Sequence, residues 1–141
     1  MTATMSRLKV SSAAFRHVEA ELYAYPDTVK EIKARRAELL SGGSEELVGG
    51  KSNLPGDPTG RVAARIIDDK RLRELERIAS AIETVMEKLD DDYKDLVRVK
   101  YWQTHRALDW HSIAAELNVS RATAHRRRKL IVEAIAEQLG W

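Results

Sequence analysis

Between Asp109 and Lys129 the order of residues demands two short helices around a tight corner. Asp109 can accept hydrogen bonds from the free N–H groups of a first helical turn. Ile113, Ala114 and Leu117 follow as one apolar stripe, with Ala114 small where a second helix must cross closely. Asn118 stands where the chain reverses, and asparagine tolerates the left-handed conformation better than most residues. Val119 plugs the corner, and Ser120 is a good N-cap for the helix that follows.

That second helix is expected to turn Ala124 and Ile131 inward. Three-to-four residue spacing puts Arg121, Ala122, His125, Arg126 and Lys129 on the outward face. Residues 120–129 hold Arg121, Arg126, Arg127, Arg128 and Lys129 and no acid, whereas the whole chain carries a formal net charge of only +2. The field is therefore local, which suits a specific contact with double-stranded DNA better than bulk condensation. A basic helix is also often only a solvated face, but here cap, small residue, turn residue and cation run fall in the order a DNA-gripping helix pair requires. A recognition helix reads base edges mainly with its N-terminal half. Arg121, Ala122 and His125 are accordingly the expected base readers, since arginine pairs bidentately with guanine and a small alanine touches a thymine methyl. Ser120, Thr123, Arg126, Arg128 and Lys129 are expected to hold phosphates, which adds affinity without sequence information. Arg127 departs from the pattern, standing where an apolar residue is expected. Either its stem snorkels along the core edge or the helix is slightly rotated.

Catalytic and metal chemistry find little support. With no cysteine there is neither a disulfide framework nor thiol chemistry. His105, His111 and His125 match no compact zinc spacing. Asp90, Asp91 and Asp92 form the one acidic cluster, and they are better placed to start a helix through capping and the helix dipole. Nothing pairs them with a nucleophile, as a nuclease or recombinase would need. No enzyme activity, metal or cofactor is expected. The chain has no run of 18 apolar residues and no apolar N-terminal core of a secretion signal, so a cytoplasmic protein without a membrane contact is expected.

The rest of the chain reads as all-α. Phe15, Val18, Leu22 and Tyr25 make one stripe, which Pro26 is expected to end. Asp27 then caps a helix carrying Val29, Ile32 and Leu39 or Leu40, so residues 1–40 read as a helical hairpin. Residues 41–60 hold six of the seven glycines together with Pro55 and Pro58, and read as a linker or an ordered loop. Residues 61–141 form the last unit. Its long opening helix, 61–89, carries Leu75, Ile78, Ile82, Val85 and Leu89 at heptad spacing. That seam buries either within its own chain or against a second copy, as a homodimer or higher oligomer. A helix through Leu96, Val97, Tyr101 and Trp102 follows, then a short connection, His105–Leu108. The final helix carries Leu130, Ile131, Ile135 and Leu139 and closes at Gly140, leaving Trp141 either to pack back or to serve as a contact.

The stretch from Leu89 through Asp90, Asp91, Asp92 and Tyr93 to Trp102, with the helix pair after it, resembles region 4 of bacterial sigma factors. The resemblance implies a helical domain that ends in a helix-turn-helix, reads a promoter element and touches RNA polymerase. Nearly the whole chain, apart from the glycine-rich insert, is similar to the RinA-type and ArpU-type late transcription regulators of phages. That likeness rests on Arg16, His17, Leu22, Tyr23, Tyr25, Thr28 and Ile32, on Ser120, Arg121, Thr123, Ala124 and Arg126, and on the ending Ile135 to Leu139. It implies an activator of phage late genes, encoded by a phage or prophage and working with host RNA polymerase. The alternative is a small terminase-like DNA-packaging subunit, although those usually place the DNA-binding part first.

Overall fold

The computed structural model describes residues 10–50, 60, 65, 69–103 and 108–141. Among them every regular element is helical: α1 Ser12–Gly50, α2 Lys70–Lys88, α3 Asp91–Val97, α4 Trp110–Leu117 and α5 Arg121–Leu139. A single π-helical turn, Arg98–Trp102, continues α3. The all-α expectation holds. The 51–59 part of the expected linker, most of 61–69 and residues 104–107 of the expected connection lie outside the described residues.

Caps set most of the helix starts. The Ala14 N–H donates to Ser11 Oγ at 3.0 Å and the Leu72 N–H to Asp69 Oδ1 at 2.8 Å. Ser112 N–H donates to Asp109 Oδ1 at 2.8 Å, and Thr123 N–H to Ser120 Oγ at 3.1 Å. Each satisfies one of the N–H groups that a helix start leaves free. Helix α3 differs from expectation: Asp90 precedes it, but its side chain makes no cap bond. Its backbone carbonyl accepts from Tyr93 and Lys94 instead, while Asp91 and Asp92 sit in the first turn, where the helix dipole favours acids.

Where the hairpin expected of residues 1–40 falls on described residues, 12–40 form part of a single helix. Helix α1 runs through Pro26 and Asp27 without a break, and its backbone stays helical through Gly42, Gly43 and Gly49 to Gly50. Proline removes one ladder bond from a helix interior, since its ring nitrogen has no hydrogen to give the carbonyl four residues back. Here that carbonyl, Leu22 O, accepts the Trp102 indole Nε1–H at 2.9 Å. Past residue 40 the glycines tax the helix without stopping it, because an established helix adds one hydrogen bond per residue with no new nucleation.

The chain divides into two compact units. One joins Met1–Pro26 to Ser80–Trp141, and the other is Asp27–Ala79. In the second, the α1 and α2 segments are antiparallel partners: Glu31 meets Arg71 at 3.5 Å, while Arg35, further along α1, meets Asp69 at 3.2 Å. Arg36 pairs with Glu76. Leu72, Leu75 and Ile78 are buried, and so is Thr28. Half-exposed pairs of this kind contribute little each, about 0–1 kcal/mol, so they fix register more than stability.

In the first unit Val18, Leu22, Ile82, Leu96, Val97, Ile113, Ala124, Ile131, Val132 and Ile135 are essentially closed to solvent. The α2 seam thus finds its burial within this chain: Leu75, Ile78, Ile82 and Val85 are each at most 6% exposed. Three consecutive residues of the π turn reach α1. Lys100 Nζ donates to Tyr23 Oη at 2.8 Å, Tyr101 Oη to Glu19 Oε2 at 2.6 Å, and Trp102 to Leu22 O. A π turn advances less per residue than an α turn, so neighbours stay closer to one side. Its wider ring is closed by the Gln103 N–H donating to Arg98 O at 2.9 Å.

Candidate nucleic-acid interface

Helices α4 and α5 are joined by three residues, and the corner is built from hydrogen bonds. Asn118 adopts the left-handed conformation, φ 59° and ψ 42°, the only non-glycine residue with positive φ among those described. In that pose its N–H donates to Ala115 O at 3.1 Å and the Val119 N–H to Ala114 O at 3.0 Å. Both carbonyls would otherwise end α4 unpaired. Helix α5 closes by the same device, with Gly140 at φ 79° and the Trp141 N–H donating to Ala136 O at 2.9 Å. Ala114 and Ala124 are both buried, as two helices that meet at a tight corner require.

The Asp109 carboxyl lies below its usual range, because it accepts from the Ser112 backbone N–H and side chain and also faces His111 and Arg121. An anion at the start of α4 is favoured by the helix dipole as well.

The expected DNA-facing residues divide into two groups. Ser120, Arg121, Ala122, His125, Arg126 and Lys129 are exposed, and Thr123 is half-buried. Thr123 Oγ1 accepts from Ser120 Oγ at 3.0 Å and from Arg126 at 3.1 Å, which holds that guanidinium along the first turns of α5. Among the described residues no acidic side chain pairs with Arg121, Arg126 or Lys129. Arg126 and Lys129 stand on this exposed stretch of helix in no ion pair among the described residues, and Arg121 shares the stretch, with the Asp109 carboxylate facing it.

Arg128 belongs to the other group, and its expected role as a phosphate clamp is corrected. Its side chain is only 26% exposed and turns back to α1, where the guanidinium donates to Glu19 Oε2 at 3.2 Å. It also lies over two aromatic faces, 5.0 Å from the Phe15 ring centre and 5.2 Å from that of Trp110. A cation seated on ring faces with a carboxylate beside it is already compensated. Arg127 resolves its departure from the pattern by snorkelling. It is 21% exposed, with its guanidinium 5.4 Å from the Tyr93 ring centre and 4.0 Å from Asp92. Of the five cations on this stretch, then, two are spent on the fold.

Sequence reading missed Glu19 and Tyr101. Glu19 takes two donors, Arg128 and Tyr101, and burial, with the hydrogen bond to Glu19, pushes the Tyr101 phenol well above its usual range. No local pattern marks such a pair, since the partners lie on three elements. Trp110 was missed for the same reason. Its ring lies 4.2 Å from that of His125, tilted by 39°, with Lys100 Nζ 4.7 Å from its centre on the indole. Trp141 packs back: its ring stacks on His17 at 4.0 Å and 16°.

No helix among the described residues is long and apolar enough to cross a membrane. No curated protein and no solved structure matches the chain. Residues 23–137 match the family described as "Protein of unknown function (DUF722)". The match takes in the Asn118 corner, the exposed cations of α5 and most of the helices that brace them, and the chain belongs to that family.

Proposed function

We propose that this chain is a sequence-specific double-stranded DNA-binding transcription regulator that activates phage late genes together with host RNA polymerase. One observation carries the DNA-binding part. Arg121, Arg126 and Lys129 stand exposed and in no ion pair among the described residues, on the N-terminal half of the helix that follows the Asn118 corner. A helix-turn-helix uses that half of its second helix in the major groove. Arg121, Ala122 and His125 read bases; Ser120, Thr123, Arg126 and Lys129 hold phosphates. The regulatory and phage parts rest on the resemblance of the Leu89–Trp102 stretch and the helix pair to sigma region 4, and of the chain to late regulators.

Binding of Arg121→Ala to a selected site and to random duplex tests this reading. It should weaken the selected site by about 1–3 kcal/mol and leave random duplex nearly unchanged. Equal weakening on both would remove Arg121 from the base readers.

A further inference from the structure

We propose that Trp110 is a specificity-determining positioning residue: its indole holds the His125 imidazole in one pose on the outer face of α5, and so sets the base pair that His125 reads. The proposal rests on the reading of α5 as the DNA-reading helix.

Trp110 is the first residue of α4, and the capped turn at Asp109 fixes its backbone. Its half-buried indole is braced by Lys100, at 4.7 Å from the ring centre, and by Arg128, at 5.2 Å. Arg128 is itself tied to Glu19 and Lys100 to Tyr23, both on α1. His125 lies against this braced ring, with centroids 4.2 Å apart, yet remains exposed. It falls one turn past Arg121 and Ala122, the other two residues assigned to bases. A free imidazole samples several rotamers. One in contact with a fixed indole, its ring tilted by 39° to the indole, has fewer of these open to it. A ring nitrogen so held can donate to the N7 edge of a purine in the major groove without first being ordered.

The test compares His125→Ala, Trp110→Leu, Trp110→Phe and the double variant His125→Ala/Trp110→Leu. Each is measured against duplexes carrying the selected site with every base pair changed in turn, and each is first melted to check folding. His125→Ala should flatten preference at one base pair by about tenfold. Trp110→Leu should flatten the same base pair and spare the others, and the double variant should be no worse there than either single change. Trp110→Phe keeps a ring under the imidazole and should lose only roughly two- to threefold, again at that base pair. Uniform weakening on all duplexes, additive losses, or loss at a different base pair would overturn the proposal. If Trp110→Leu does not melt cooperatively, the Phe variant decides, since a loss placed elsewhere or absent also overturns it. Wild-type protein with no preference among the duplexes would defeat the DNA-reading assignment and this inference together. A preference untouched by His125→Ala would defeat this inference alone.

Discussion

The Trp102 indole Nε1–H donates at 2.9 Å to the Leu22 carbonyl, the acceptor that Pro26 leaves without its helical partner. A side chain from the π turn thereby replaces the missing rung of α1. The proline costs the helix one bond, and the fold returns it through a tertiary contact. Tyr25 adds to the junction by stacking on Trp102, with ring centres 5.0 Å apart.

Trp102→Phe keeps the stacked ring and removes the donor. The buried Leu22 carbonyl then loses its partner, at a cost of about 1–3 kcal/mol. In a Pro26→Ala background the alanine N–H can bond to Leu22 O, so the same Trp102→Phe change should cost less by about 1 kcal/mol. Denaturant unfolding of the four proteins reads this coupling. Equal costs in both backgrounds would show that Trp102 does not stand in for the missing rung.

Arg128 and Lys129 are neighbours with opposite duties. Arg128→Ala breaks the contact with Glu19 and uncovers two ring faces, so it should lower stability by about 1–3 kcal/mol and leave the salt dependence of DNA binding intact. Lys129→Ala should leave stability nearly unchanged and reduce the slope of log affinity against log salt by about 1. Thermal melts and a salt titration of binding separate the two. A flatter slope in Arg128→Ala would return that residue to the phosphates.

At Asn118 the backbone sits at φ 59°, where any Cβ beyond that of asparagine or aspartate is disfavoured. Asn118→Gly should be neutral or slightly stabilising, Asn118→Ala should cost about 1 kcal/mol, and Asn118→Val more. Melting temperatures in that order support the left-handed corner. Asn118→Val melting with the wild type would mean that the corner has another conformation.

Two tyrosines resist ionisation. Burial and the hydrogen bond to Glu83 push the Tyr25 phenol up from 10.0 to about 12, and burial with the bond to Glu19 pushes Tyr101 higher still. A raised pKa in the folded state means that folding favours the protonated phenol. The stability this supplies is whole below pH 10.0, the unfolded value, and drains away as pH climbs toward about 12. Absorbance titration of the native protein should therefore leave Tyr25 and Tyr101 protonated at pH about 11, and Tyr25→Phe should remove one late-ionising group. All four tyrosines ionising together near pH 10 would contradict both contacts.

Legibility in the sequence followed the range of the interaction. Local features could be read directly: the Asp109 and Ser120 caps, the left-handed Asn118, and the buried Ile113, Ala114, Ala124 and Ile131. Each depends on neighbours within a turn or two. Pro26 misled because its local meaning is a helix stop, while the donor that serves the freed Leu22 carbonyl lies 80 residues from Leu22, on Trp102. Arg128 misled likewise, since helical spacing places it beside exposed cations and only the position of Glu19 and Phe15 turns it inward. Trp110 carries no pattern of its own, and its role depends on His125, Lys100 and Arg128 arriving around it. The α2 seam was readable as apolar, but which surface would bury it was not.

Protection mapping of the purified protein on DNA from its own genomic neighbourhood, with random duplex as competitor, tests the central claim most directly. The account predicts one protected promoter-proximal site that survives an excess of random duplex and is lost in Arg121→Ala. No protected site, or protection that random duplex removes equally well, would mean that the exposed cations of α5 do not read DNA sequence.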